Sequence, residues 1–147
     1  MKRVLSIQDI SCIGKCSLTV ALPIISAMGI ETSILPTSIL STHTMFNDFT
    51  FRDLTDDMEP IKKHWQKEGF SFDAIYTGYL GSEKQITLVK DYFKTFENTC
   101  KYIIVDPAMA DNGKLYSGFD KDFPLKMAKL CKYADVILPN ISEAAFM

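Results

Sequence analysis

The sequence predicts an α/β fold, a mostly parallel sheet with helices on both faces. Three observations carry that expectation. Five short, β-rich apolar runs recur along the chain, and four of them are apolar almost continuously, as strands covered on both faces are. Helix-length segments with apolar residues at helical spacing separate them. Strand and helix therefore alternate from end to end, the pattern of successive βαβ units with right-handed crossovers.

Taken in order, Val4 to Gln8 reads as the first strand. Ser17 to Met28 follows as a helix, because Leu18, Ala21, Leu22, Ile25 and Met28 share one face and Gly29 supplies a stop. Ser33 to Thr37 is the second strand, and a weaker helix, with Trp65 and several basic residues, spans Pro60 to Glu68. Ala74 to Thr77 is the third strand. The helix after it runs from Ser82, a suitable N-cap, to Phe96, with Ile86, Leu88, Val89, Tyr92 and Phe93 on a broad apolar face. Tyr102 to Val105 is the fourth strand, Phe123 to Tyr133 a helix with Pro124 in its first turn, and Val136 to Leu138 the fifth strand. From Ile141 to Met147 a further helix begins without a cap or terminator, so the ending reads as an interruption.

The chain's 147 residues are 47% hydrophobic and 23% charged, enough apolar material for one core and no more than one domain. Sixteen basic residues against 18 acidic give a net charge of -2, with no run of like charge, which argues against nucleic acid as a partner. No apolar stretch is long enough for a membrane span, and the start Met1-Lys2-Arg3 lacks a signal peptide's pattern, so a cytoplasmic protein is expected. In that compartment Cys12, Cys16, Cys100 and Cys131 are expected as free thiols, and no second Cys or His pair completes a zinc site beside Cys12 and Cys16.

Ligands of open parallel sheets bind outside the carboxyl ends of the strands. All five ends are polar here: Gln8 to Lys15, the group Ser41 to Thr44, Thr77 to Ser82, Asp106 with Asp111 to Gly113, and Pro139 to Glu143. Singly, each has a plainer use. Asp9 and Asp106 suit turns, Asn140 an Asx turn, Ser142 a cap, and His43 a structural imidazole. Their joint placement on one edge is what those uses explain poorly. The chain has no Walker loop, nucleophile elbow or Gly-x-Gly-x-x-Gly after its first strand. The carboxylates suit a hydrated Mg²⁺ carrying phosphates, and the edge looks like half of a binding site.

Five segments, in order and spread over the whole chain, resemble pyridoxal/pyridoxamine kinases of the ribokinase-like superfamily: Ile7 to Ser17 (IQDISCIGKCS), Leu40 to Thr44 (LSTHT), Thr77 to Ser82 (TGYLGS), Asp106 to Asp111 (DPAMAD) and Pro139 to Glu143 (PNISE). The resemblance implies a three-layer, Rossmann-like fold, truncated here, in which residues 1–147 are the N-terminal part of a single kinase domain. It implies phosphorylation of the 5'-hydroxymethyl group of a vitamin B6 vitamer by ATP and Mg²⁺, possible use of a monovalent cation, and a homodimer. It places Asp9, Ser41, Thr44, Met45 and Tyr79 in the substrate pocket. Asp9 stands where many relatives have a serine that bonds the pyridine ring, and Tyr79 matches an aromatic residue near it. Asp106, Leu138, Asn140 and Glu143 fall on the nucleotide and phosphate side, Leu138 through its backbone, with Asp106 and Glu143 near the metal through water. Met45 and Ala110 depart from the family pattern.

The family's glycine-rich anion hole and its general base, an aspartate, have no match in this chain. The resemblance therefore implies that the 147 residues alone are inactive, with an unfinished sheet edge prone to self-association. Two other readings stand beside this one: hydroxymethylpyrimidine kinase of the same superfamily, and a flavodoxin-like module that binds nucleotide or pyridoxal without turnover.

Overall fold

The computed structural model describes residues Met1 to Met147. Its elements, in chain order, are β1 (Arg3–Ser11), α1 (Leu18–Ala27), β2 (Glu31–Leu40), β3 (Phe51–Asp53), α2 (Thr55–Lys67), β4 (Ala74–Thr77), α3 (Glu83–Phe96), β5 (Tyr102–Val105), β6 (Ala110–Asp111), β7 (Lys114–Leu115), α4 (Phe123–Cys131), β8 (Val136–Ile137) and α5 (Ile141–Phe146). Six strands form one sheet in the order β3-β2-β1-β4-β5-β8, and β6 and β7 form a separate small hairpin. All pairings in the large sheet are parallel except β2 with β3.

Alternation along β1 decides the layers. Leu5 and Ile7 point into the main core, where they meet Leu35, Ile75 and Val105 from neighbouring strands and the apolar faces of α2, α3 and α4. Tyr92 and Val89 of α3 and Met127 and Leu130 of α4 are fully buried there. The opposite face carries α1, which packs on β1 and β2. Helices thus lie on both faces, as expected.

Several boundaries differ from the expectation, each for a local reason. β1 runs on to Ser11, because Asp9 and Ser11 are buried polar residues whose strand character no apolar run betrays. α2 starts at Thr55 rather than Pro60, since the Asp53 carboxylate accepts from the Thr55 amide at 2.7 Å; Pro60 lies inside the helix. β3 lies outside the five expected strands, because all three of its residues are exposed at a sheet edge and form no apolar run. Apolar residues expected to be covered on both sides are not all so: Leu22 and Met28 of the α1 region, Tyr102, Val136 and Ile137 are exposed, because α1 alone covers its face and β8 has a single neighbour. The last helix is also capped after all. Asn140 and Glu143 form a reciprocal capping box, and Ser142 does not cap but accepts from the Gly113 amide at 2.8 Å. All four cysteines are free thiols, and no helix is long and apolar enough to cross a membrane.

Candidate active site

The strand order turns back at β1: the chain goes from β1 to β2 on one side, then returns to lay β4 on the other. Crossovers leaving β1 and β4 in opposite directions open a crevice at their carboxyl ends, the usual ligand position in such sheets. Two adjoining cavities lie there, of about 590 Å³ and about 410 Å³. Tyr79, Ala108, Cys16 and Ser17 line both.

Asp9, Ser11, Thr44, Met45 and Tyr79 line the larger cavity. The β1–β2 register slips between Gln8 and Ile10, so Asp9 sits at an irregularity of the kind that re-aims a side chain near a site. Its carboxylate is buried and accepts from the Ser11 hydroxyl at 3.2 Å. The Tyr79 ring leans against Phe119, with centroids 5.6 Å apart and planes 31° apart. Burial, and then the charges of Asp9 and Asp53, hold its phenol above the ordinary tyrosine range, so it stays protonated and able to donate. Met45 is a largely exposed rim residue. Ser41 is not brought to either cavity: its amide donates to the Thr50 carbonyl and its hydroxyl accepts from the Thr50 amide, closing the β2–β3 loop.

One wall of this cavity left little sign in the sequence. The β6–β7 hairpin and the residues after it, Asp111 to Ser117, supply a whole wall. Only Asp111-Asn112-Gly113, a turn signature, marked it in the sequence. His43 also lines the cavity and lies directly over Gly14, whose φ is 121°. A Cβ at Gly14 would come within 2.0 Å of His43 Cδ2, so the glycine permits both the backbone turn and the close approach. His43 Nδ1 accepts from the Met45 amide at 3.3 Å, which leaves the other ring nitrogen as the donor in the neutral form.

Asp106 lines the smaller cavity with Gln8, Lys15, Tyr76 and Gly78. Leu138, Asn140 and Glu143 do not line it; they stand behind it. Glu143 is buried, and its two carboxylate oxygens accept separately from the Met109 amide at 3.1 Å and the Asn140 amide at 2.8 Å. Asn140 accepts from the Glu143 amide at 2.9 Å and donates to the Ala110 carbonyl at 2.8 Å. The Leu138 amide is committed to the Val105 carbonyl at 3.0 Å. The Asn-x-x-Glu element therefore ties the start of α5 to the loop that follows β5.

Burial first, and then the Glu143 charge, raise the Asp106 carboxyl above the ordinary carboxylate range, against one backbone bond from Ala108 that lowers it. A half-buried Asp106 disfavoured as an anion, beside the buried carboxylate of Glu143, forms a site whose electrostatics a divalent cation would relieve. A stability consequence follows. A carboxyl whose folded pKa lies above its unfolded value costs stability progressively as pH rises from about the unfolded value through the folded one. Asp106→Asn keeps the acceptor for the Ala108 amide, so it is expected to melt roughly 1–3 °C higher than the unmodified chain at pH 7, with the difference closing near pH 4. Thermal melts at the two pH values check this; a gap that widens in acid contradicts it.

With this geometry in place, comparison with known proteins is informative. The sequence profile of the phosphomethylpyrimidine kinase family matches residues 30–147. A Bacteroides thetaiotaomicron protein assigned as a phosphomethylpyrimidine kinase, crystallised with pyridoxal, is 46% identical and superposes with a TM-score of 0.95 over 99% of this chain and 51% of that one. The pyridoxal kinase of Lactobacillus plantarum is 37% identical, with a TM-score of 0.92 over 99% of this chain and 52% of that one. The pyridoxal kinase of Histophilus somni is 30% identical over 97% of this chain and 52% of its own length. The chain thus spans about half the length of the relatives it matches. It belongs to the phosphomethylpyrimidine kinase family, and its fold is the ribokinase-like fold of the pyridoxal kinases.

Proposed function

We propose that this chain carries the vitamin-binding and metal-organising half of a kinase that phosphorylates the 5'-hydroxymethyl group of pyridoxal, pyridoxamine or pyridoxine. One observation carries the reading. A cavity with a buried carboxylate on one wall and a flat tyrosine on another sits at the sheet's switch point, in a chain 46% identical to a protein crystallised with pyridoxal. A heteroaromatic ring gains from the tyrosine face, and its polar substituents gain from Asp9, Ser11 and Thr44. Met45 closes the rim, and Ser41 acts one step back, by fixing the loop that presents Thr44.

On this reading ATP is the phosphoryl donor, and Asp106 faces the Mg²⁺ that accompanies it. Glu143 acts through water and through the loop it braces, and Leu138 offers its backbone beside the nucleotide. Bound Mg²⁺ would neutralise charge on the transferring phosphoryl group. Lys15, at the mouth of the smaller cavity, adds positive charge on the same side. The reading assigns the proton acceptor and the anion hole to the other half of the family's length, residues 1–147 being the N-terminal part of one kinase domain. It also keeps the homodimer, the cytoplasmic setting and a monovalent cation as implications of the family.

A second reading is hydroxymethylpyrimidine kinase, which the description of the matching family favours. The two separate in one experiment. Calorimetric titration of the 147-residue chain with each ring is expected to show pyridoxal binding at least about tenfold more tightly than hydroxymethylpyrimidine, a difference of about 1.4 kcal/mol. With MgATP present, the same chain is expected to release no pyridoxal phosphate above background. The reverse order of affinities would give the pyrimidine reading. Turnover by this polypeptide would show that the proton acceptor lies within it.

A further inference from the structure

Behind the cavity lies a buried polar cluster that no part of the proposed chemistry uses. Its centre is Gln85, in the first turn of α3 and almost completely buried. Such a side chain is costly to bury unless its amide is satisfied, and this one is satisfied from three separate elements. Its Oε1 accepts from the Gly81 amide at 2.8 Å. Its Nε2 donates to the Thr37 carbonyl within β2, at 3.0 Å, and to the Thr55 hydroxyl at the start of α2, at 2.9 Å. The backbone amide of Gln85 is itself capped by the Ser82 hydroxyl at 3.2 Å.

What Gln85 holds is the turn that carries Tyr79. Thr37, whose carbonyl Gln85 engages, donates its hydroxyl to the Tyr79 carbonyl at 3.4 Å. Gly81, whose amide Gln85 engages, lies under the Tyr79 ring: a Cβ placed there would stand 3.6 Å from Tyr79 Cε1 and 3.7 Å from its hydroxyl. The turn is therefore fixed at the Tyr79 carbonyl and again two residues later at the Gly81 amide; Gln85 makes the second fixing itself and holds the backbone of Thr37, which makes the first. Gln85 lines neither cavity.

We propose that Gln85 is a positioning residue that holds Tyr79 in the orientation in which it receives the substrate ring. The proposal rests on the function proposed above, and its test has one arm that does not. That arm is amide hydrogen exchange of the ligand-free chain. Gln85→Met preserves length and burial but removes every side-chain hydrogen bond, so the Gly81 amide is expected to exchange at least about tenfold faster while the amides of β1 keep their protection. The second arm is pyridoxal affinity, expected to weaken about tenfold in Gln85→Met and to be unaffected by the same change in a Tyr79→Ala background. A merely structural loosening would weaken binding equally in both backgrounds.

Unchanged Gly81 exchange overturns the clamp, as does equal weakening in both backgrounds. Should Gln85→Met not fold, Gln85→Glu replaces it. That variant keeps an oxygen opposite the Gly81 amide but sets a second acceptor against the Thr37 carbonyl and the Asp53 carboxylate, which the Gln85 amine group faces at 3.0 and 3.4 Å, so Gly81 is expected to stay protected while pyridoxal binding weakens about tenfold with Tyr79 present and not in Tyr79→Ala; lost Gly81 protection, unchanged affinity, or equal weakening in both backgrounds overturns the proposal. Failure of the unmodified chain to bind pyridoxal would overturn the vitamin-kinase reading instead, and the exchange arm would still decide whether Gln85 clamps the turn.

Discussion

Replacing Glu143 by Gln is expected to lower stability by about 2 kcal/mol and to weaken MgATP binding by this chain at least about tenfold. The first effect follows from donor counting. Glu143 accepts two backbone amides, one on each oxygen, in a buried position. A glutamine offers one acceptor oxygen and must turn an amine group toward the second N–H, so one buried hydrogen bond to a charged group becomes a contact between two donors. No rotation of the side chain satisfies both.

The second effect follows from what those amides belong to. The Met109 amide lies beside Ala108, which lines both cavities, and the Asn140 amide opens α5. Releasing them loosens the wall that the two cavities share, beside the Asp106 carboxylate proposed to face the metal. The substitution also removes the neighbouring charge that raises the Asp106 carboxyl, so Asp106 should move back toward the ordinary carboxylate range. Glu143→Asp keeps the charge but is one methylene too short to brace both amides, so it separates the contributions. Melting curves and calorimetric MgATP titrations of the three chains are the measurements. Unchanged melting of Glu143→Gln would falsify the bracing role.

How much of this was legible in the sequence depended on whether a residue's job left a pattern. The sheet and its helices were legible because Leu5, Ile7, Ile75 and Val105 are buried in runs, and because α3 repeats its apolar residues at helical spacing. The ligand edge followed from topology alone, since parallel strands send their carboxyl ends to one side. β3 left no trace, because three exposed residues on an edge carry neither an apolar run nor an alternation. The cap of α5 had a pattern, Asn-x-x-Glu, but the same residues had a second use in the family resemblance, and that use hid the simpler one. The hairpin wall left only the turn signature Asp111-Asn112-Gly113, and Gln85 only its place three residues after the cap Ser82, which says nothing of what its side chain holds. Their roles come from contacts between segments about 30 to 50 positions apart in sequence, such as Gln85 with Thr37 and Gly113 with Ser142, which only the folded chain brings together.

Tyr92→Ala is expected to be the most destabilising single change in the core, by about 4 kcal/mol, against about 1 kcal/mol for Tyr92→Phe. Tyr92 is fully buried in the middle of α3, and its hydroxyl donates to the Met58 carbonyl of α2 at 2.6 Å. Its ring meets Trp65 edge-on at 6.3 Å and Phe96 at 6.1 Å, and the ammonium of Lys62, itself paired with Glu59 and Asp91, lies 5.9 Å from its centroid. Burial holds its phenol well above the ordinary tyrosine range, so the hydroxyl remains a donor at any pH compatible with folding. Alanine deletes the ring and leaves a cavity that α2 and α3 cannot both close; phenylalanine loses only the hydroxyl bond. Because small domains are stable by only about 5–15 kcal/mol, the alanine variant should unfold in a large fraction less urea than the parent chain. The phenylalanine variant should retain pyridoxal affinity, since α3 then still presents Gln85 and the Tyr79 turn at its first residues. Urea titrations of the two variants decide the matter: equal losses would place the stabilisation in the hydrogen bond, and the expected fourfold difference places it in the aromatic packing that joins α2 to α3.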